Sequence, residues 1–237
     1  QDLVVVRTAG AGSLRRLVPR VEEQAVARMR AAVVGDRVVA ALLEHQDRRR
    51  VLTARVHTVA VAAHAEVAPV AEMLTRRWLS NHADRVSEPA WRPDLWGWRI
   101  LFWATHAPLI LSSTDLVYRS AVLNGLARGA RHLDRSADRA PIGLQRIAAW
   151  AGIVAAGLLI TGGGPRRTFG EAGLARAINT GFSADGGLVC RTPGGQLDAV
   201  MLLAMLSRVY DARRIELPAF LASALNLSVP PLLGVTL

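Results

Sequence analysis

Fourteen consecutive residues, from Ile147 to Ile160, carry no charged, hydroxyl or amide side chain, and this run most constrains what the chain can fold into. A membrane-spanning helix needs about 20 apolar residues, so the run is too short to cross a bilayer. A helix of this length that is apolar on every side is typical of the centre of a globular domain. The run therefore predicts a buried helix surrounded by other helices, with Gly152 allowing a neighbour to approach closely.

The composition indicates a sizeable core and a basic surface. Of the 237 residues 51% are hydrophobic, and the formal net charge is +10. All 29 basic side chains other than histidine are arginines, and Cys190 is the single cysteine, so no internal disulfide can form. A charge of this sign favours polyanions such as nucleic acid, acidic polysaccharide or an anionic membrane surface. A generally basic, solvated surface explains the same charge.

The first 70 residues give no clear pattern, and they are predicted to be a poorly defined segment before a helical domain at 71–237. His57 and His64 are seven residues apart and could share a helix face, but no third ligand lies nearby. The sequence therefore predicts neither a metal site nor a cofactor. The apolar stretch Leu3 to Val6 is too short for a signal peptide.

From residue 71 the pattern is helical and no alternating strand pattern interrupts it, which predicts an all-α fold of antiparallel hairpins. A helix is expected over 72–81, and further helices are expected to begin near 98, 114, 141, 169, 195 and 218. Thr168 and Glu171 fit a capping box, and Pro230 is expected to end the last helix. Such hairpins can form an incomplete α/α toroid or an open solenoid, and periodicity does not choose between these.

Two faces are predicted for the helix that begins near Asp115. A buried face is expected at Leu116, Ser120, Leu123, Ala127 and Ala130. A basic stripe is expected at Arg128, His132, Arg135 and Arg139, which suits a solvated outer face as well as a polyanion contact.

Tryptophan is concentrated upstream of this helix, at positions 91, 96, 98 and 103. Arg99 and Trp103 are four residues apart, so they are expected to stack on one helix face. This arrangement predicts either plain packing with a cation–π contribution or a platform for an acidic sugar ring.

Three stretches carry a resemblance to a known family. They are Trp91-Arg92-Pro93 followed by Arg99-Ile100-Leu101-Phe102-Trp103, then Ala130-Arg131-His132-Leu133 leading into Gly143, and Asp185-Gly186-Gly187 followed by Arg191-Thr192-Pro193. In their order and spacing, residues from about 72 to 235 resemble the helical toroid domain of the heparinase II/III-like bacterial polysaccharide lyases. The resemblance is closest to a divergent subgroup, and it leaves periplasm and cytoplasm both open.

The resemblance implies cleavage of acidic, glycosaminoglycan-like chains by β-elimination, in which a base removes the proton beside a neutralised carboxylate. The family's Asn-His pair falls here on Leu144 and Gln145, and its Tyr-His pair falls on Gly195 and Gln196. Neither leucine nor glycine moves protons, and an amide only exchanges hydrogen bonds. The remaining weak catalytic candidates are Tyr118, Gln145 and Gln196. The resemblance further implies a C-terminal β-rich domain with another catalytic histidine, which is not expected within these residues.

The resemblance also implies a substrate groove, and the expected partner is an acidic polysaccharide, with no metal, no cofactor and no membrane span. The groove residues that it implies are Trp98, Arg99, Trp103, Arg131, His132 and Arg191. The chain is then expected to hold the polysaccharide for a lyase that it does not complete, or to be a non-catalytic carbohydrate-binding module. Nucleic-acid binding is not expected, because no recognised reading motif accompanies the charge.

Overall fold

The computed structural model describes the backbone of residues 68–235 and the side chains of residues 68–231. Predictions that concern earlier positions, including those for His57 and His64, lie outside the described residues.

The described part of the chain is built from helices, which confirms the all-α prediction. Seven main helices follow in order: α1 (68–82), α2 (Pro93–Thr105), α3 (Leu116–Ser136), α4 (Leu144–Leu159), α5 (Gly164–Gly181), α6 (Pro193–Ala212) and α7 (Ala219–Val235). A one-turn helix at Ala107–Ile110 follows α2, and a 3₁₀ turn at Ala137–Arg139 extends α3. Between residues 68 and 235 the only strand-like pairing is a single bridge between Phe182 and Leu188.

The central helix predicted from the apolar run is α4, and the prediction is confirmed. Every residue from Ile147 to Leu158 is buried, and α2, α3, α5 and α6 all contact this helix. Burial on all sides explains why the sequence shows no polar stripe here, since none of its faces meets water.

Glycines allow a close helix crossing between α2 and α4. A Cβ placed on Gly152 would lie 2.6 Å from Cα of Gly97, and one on Gly97 would overlap the backbone of Ala148. The two backbones therefore touch, as Gly152 predicted. Helices α2, α4 and α6 also contact one another in pairs, an arrangement that toroids share with other helical bundles. Closure into a toroid stays a prediction.

The predicted buried face of α3 is wrong for most of its length. Leu116 and Leu123 are 71% and 54% exposed, and Ser120 is exposed too. The buried side of the helix is instead formed by Tyr118, Val122, Gly125, Gly129, Ala130, Leu133 and Ser136. Glycines 125 and 129 carry no hydrophobic signal, yet Trp96 packs against Gly129, so the tryptophans determine which side of α3 is buried.

Several helix boundaries also differ from those predicted. Helix α2 begins at Pro93 rather than near 98, because a proline in the first turn gives up no hydrogen bond. Helix α5 begins at Gly164 and not at the predicted capping box, where the hydroxyl of Thr168 donates to the carbonyl of Gly164 within the helix. Helix α7 continues through Pro230, since a proline removes one helical hydrogen bond but need not end the helix. Helix α3 begins near 114 as expected, but its cap is the carboxylate of Asp115 rather than the predicted hydroxyl of Thr114.

Candidate functional site

Four tryptophans from α1, α2 and the loop between them form one cluster. The ring of Trp78 lies at the centre of the cluster. Its centroid is 5.2 Å from that of Trp96, 5.8 Å from that of Trp103 and 6.3 Å from that of Trp91. Trp91, Trp96 and Trp103 are buried. Trp103 therefore belongs to the core of this cluster and offers no open ring face to a sugar.

Arg99 lies within the same cluster. Its guanidinium carbon is 4.1 Å from the ring centroid of Trp78 and 4.7 Å from that of Trp96, and Nη1 donates to the carbonyl of Ala90 at 3.3 Å. The prediction that Arg99 stacks on Trp103 is wrong, because its guanidinium lies over Trp78 of α1 and Trp96 instead. None of the described carboxylates pairs with Arg99, and burial lowers its pKa to about 10. The arrangement matches packing with a cation–π contribution.

Trp98 points away from this cluster and remains half-buried. Its ring stacks on Phe102 at a centroid distance of 5.7 Å, and Phe102 stacks on His106 at 6.1 Å. The three residues are spaced by four along α2, so they share one helix face. Of the four tryptophans between residues 91 and 103, Trp98 is the one that remains accessible.

Arg128 and His132 of the predicted basic stripe hold the loop between α1 and α2. Arg128 donates to the carbonyls of Ala83 and Asp84, and Nε2 of His132 lies 2.7 Å from the carbonyl oxygen of Trp91. A carbonyl only accepts, so Nε2 carries the hydrogen. This contact joins the stripe to the tryptophan cluster, because the rings of His132 and Trp91 also meet edge to face at 5.3 Å.

Arg128 and His132 thus clamp the α1–α2 loop, and three neighbouring arginines are exposed: Arg131, Arg135 and Arg139. No ion pair or hydrogen bond is recorded for their guanidinium groups with any residue that the structure describes. Together with His132 they define the basic face of the molecule. They lie on one side of α3 and its 3₁₀ extension, where successive turns rise by about 5.4 Å.

The two aspartates in the same stretch bond to neighbouring helices rather than to the arginines of the basic face. Asp134 accepts a bidentate pair of hydrogen bonds from Arg166 of α5, at 3.0 Å from Nε and 2.8 Å from Nη2. Asp138 accepts from Nε1 of Trp150 of α4 at 3.2 Å. Both carboxylates are therefore committed to neighbouring helices.

The basic face acts on the pKa of His132. Burial lowers this pKa below its ordinary value of 6.5, and the charges of Arg135 and Arg139 lower it further, against the hydrogen bond to Trp91 and the charge of Glu88. A lowered pKa means that the folded chain binds this proton less tightly than the unfolded chain does. The stability contributed by neutral His132 is thus present above pH 6.5 and is lost as the pH falls below that value.

The side-chain amide of Gln196, one of the catalytic candidates, forms its hydrogen bonds with backbone groups. Its Oε1 accepts from the amide of Leu188 at 2.7 Å, while Nε2 donates to the carbonyls of Gly186 at 3.0 Å and Ser228 at 2.7 Å. The side chain is 5% exposed. It fastens the α5–α6 loop to α7 and has no donor left for a substrate.

The positions that would carry the family's other acid–base groups are also constrained. A Cβ on Gly195 would lie 2.6 Å from Oγ1 of Thr192 and 3.0 Å from Sγ of Cys190, and Thr192 caps α6. A tyrosine at 195 would displace that cap. Leu144 and Gln145 are half-buried in the first turn of α4.

Tyr118 is 2% exposed, and the guanidinium of Arg76 covers its ring at 4.3 Å from the centroid. Burial raises the pKa of its hydroxyl, which opposes a role as proton acceptor. Arg191 lies in the α5–α6 loop and pairs with Asp185 at 2.6 Å. Of the six residues implied for the groove, the structure joins Arg99, Trp103 and His132 through the tryptophan cluster, whereas Trp98 and Arg191 contact other partners.

The helix expected over 72–81 predicts that Trp78 faces a core, but sequence reasoning did not place it beside the other tryptophans, and it missed Arg166. Trp78 lies outside the stretch of four tryptophans, and its helical register is the signal that could have placed it beside them. Nothing local marks Arg166, since its partner Asp134 is 32 residues away.

No known protein family, curated protein or solved structure matches this chain. Among the described residues no helix combines the length and the hydrophobicity needed to cross a membrane. The same residues contain no group of three side chains arranged to bind a metal ion.

Proposed function

We propose that this chain binds acidic polysaccharide through its basic face, as the helical domain of a heparinase II/III-like protein. The observation that carries the proposal is that the acidic side chains of residues 128–139 have partners on other helices, whereas three of the basic ones have none among the described residues. Both aspartates turn to neighbouring helices, and three arginines remain exposed without a carboxylate. Guanidinium groups pair with carboxylate or sulfate in bidentate geometry, so an unpaired row of them suits a chain that carries such groups at intervals.

Two further observations support a carbohydrate over other polyanions. Arg131 lies in one of the stretches that resemble the lyase family, and Trp98 directly precedes another, which begins at Arg99. Trp98 also keeps part of its ring accessible on α2, and aromatic rings can pack on the apolar face of a sugar.

Binding without cleavage is the form of the function that the geometry favours. Gln196 has no free donor, a side chain at Gly195 would displace the Thr192 cap of α6, and Tyr118 is buried beneath Arg76. We infer that these residues hold the fold together and that this chain does not by itself supply the acid–base pair of a lyase.

The test compares two triple variants of equal charge. Arg131→Gln, Arg135→Gln and Arg139→Gln together should weaken binding to immobilised heparin at least about tenfold, as three charge contacts are lost. The control combines Arg119→Gln, Arg208→Gln and Arg213→Gln, which removes three exposed arginines outside the basic face. An equal loss of heparin affinity in both variants would mean that binding depends on net charge and not on the basic face.

Two further measurements distinguish the proposed function from its alternatives, which are general polyanion binding and cleavage of the polysaccharide. Single-stranded DNA that binds as tightly as heparin, and through the same three arginines, would make the face a general polyanion surface. Appearance of the ultraviolet absorbance of an unsaturated uronate, on any polysaccharide of a panel, would overturn binding without cleavage.

A further inference from the structure

We propose that His132 couples polyanion binding to proton uptake, so that an anion on Arg135 and Arg139 draws a proton onto Nδ1 of His132 and binds more tightly as the pH falls. This inference rests on the proposed function, because it concerns the regulation of the same basic face.

The geometry leaves one ring nitrogen free to titrate. Nε2 is held by the carbonyl of Trp91 at 2.7 Å, so an added proton goes to Nδ1 and the loop contact survives protonation. The ring is half-buried, which keeps it in contact with solvent protons. His132 therefore gains a charge without breaking the clamp on the α1–α2 loop.

Positive charge is in excess around His132, and a bound anion would offset it. Arg135 and Arg139 act on it from its own helix and the 3₁₀ turn, and Glu88 acts on it from the loop. Arg128 stands one turn earlier with its guanidinium over the ring of Trp91. In the same region Arg92 and Asp94 neutralise each other at 2.7 Å.

An anion that pairs with Arg135 and Arg139 cancels their repulsion of a second positive charge. The proton affinity of His132 then rises, and by linkage the affinity for the anion rises by the same factor when the histidine is protonated. A change of one pKa unit between the free and bound states corresponds to a tenfold change in affinity. Between pH 7.5 and 5.5 we expect binding to tighten by about threefold to tenfold.

The first experiment needs no ligand. The pKa of His132 is measured by nuclear magnetic resonance in the full chain, its signal being assigned by its loss in His132→Gln. The pair Arg135→Gln and Arg139→Gln should raise this pKa, and the pair Arg208→Gln and Arg213→Gln should leave it unchanged. An unchanged pKa in the first pair would overturn the coupling.

The second experiment uses heparin, whose sulfates stay ionised throughout this pH range. Calorimetry in buffers of different ionisation enthalpy should show proton uptake on binding by the natural chain and none by His132→Gln, where the amide can still donate to Trp91. Binding without His132-dependent uptake would refute this inference alone. Absence of binding at every pH would refute the proposed function, while the ligand-free titration would still decide whether His132 responds to the arginines.

Discussion

At the scale of single residues, Arg99 shows why a charged side chain next to tryptophans need not mark a binding site. Its guanidinium is stacked against two rings, makes one long hydrogen bond, and has its pKa lowered by burial to about 10. Below that pH the charge is present in the folded and unfolded chains alike, so its desolvation opposes folding at neutral pH. The cation–π contacts offset part of this cost, typically by about 0.5–2 kcal/mol each.

We therefore expect Arg99→Met to change the free energy of unfolding by less than about 1.5 kcal/mol, because the volume is largely kept. Arg99→Ala should cost about 2–5 kcal/mol, because it leaves a cavity between the rings. Denaturant titration of both variants measures the difference, and binding of Arg99→Met to heparin should match that of the natural chain. A loss of heparin binding with unchanged stability would instead make Arg99 a ligand of the polysaccharide.

At the scale of helices, the contact between α2 and α4 depends on missing side chains. Gly97 and Gly152 bring the two backbones together, and Gly129 makes room for the ring of Trp96. Overpacking of a tight contact costs about 1–3 kcal/mol, and here backbone rather than a flexible side chain would have to move.

Gly97→Ala should therefore destabilise the fold by at least about 2 kcal/mol, measured as the shift in the denaturation midpoint. The control is Gly194→Ala in the first turn of α6, where a new Cβ meets no atom within 4 Å. There the alanine should be neutral or stabilising by up to about 1 kcal/mol, since it favours the helix. An alanine at Gly97 that is as neutral or stabilising as the one at Gly194 would mean that the crossing has room for a methyl group and that helix propensity alone sets the effect.

The same contacts explain what the sequence could predict about the helices and what it could not. The apolar run of α4 is a local signal, strong enough to place the central helix and its close neighbour. The buried side of α3 has no such signal, because two of its members are glycines, of which Gly129 makes room for Trp96 and Gly125 lies against Leu79 and Trp103. The basic stripe could be recognised as a pattern, but which arginines remain unpaired depends on Arg166 and Trp150, which belong to other helices and lie 32 and 12 residues from their aspartate partners.

At the scale of the whole molecule, the packing of α3 against α4 and the ion pair between α3 and α5 separate charges that alternate along the chain. The pairing of Asp134 with Arg166 anchors α5 to α3 and at the same time keeps a carboxylate away from Arg131 and Arg135. Each of these partners is partly exposed, so the pair stabilises the fold by no more than about 1 kcal/mol. Its larger consequence is electrostatic, since it preserves the charge of the basic face.

Breaking this pair should weaken binding without altering the basic face itself. Arg166→Met frees Asp134 to interact with Arg131, which precedes it by three residues on the same helix. The slope of the logarithm of heparin affinity against the logarithm of salt concentration should then fall by about 1, as for the loss of one charge contact. Arg176→Met is the matched control, because it removes one arginine from the same helix α5, and the Asp134 pair stays intact. Adding Asp134→Asn to Arg166→Met should restore the slope, since the released carboxylate is then gone. A double variant that binds as weakly as Arg166→Met would show that the positive charge of Arg166, and not the position of Asp134, supports the binding of the polysaccharide.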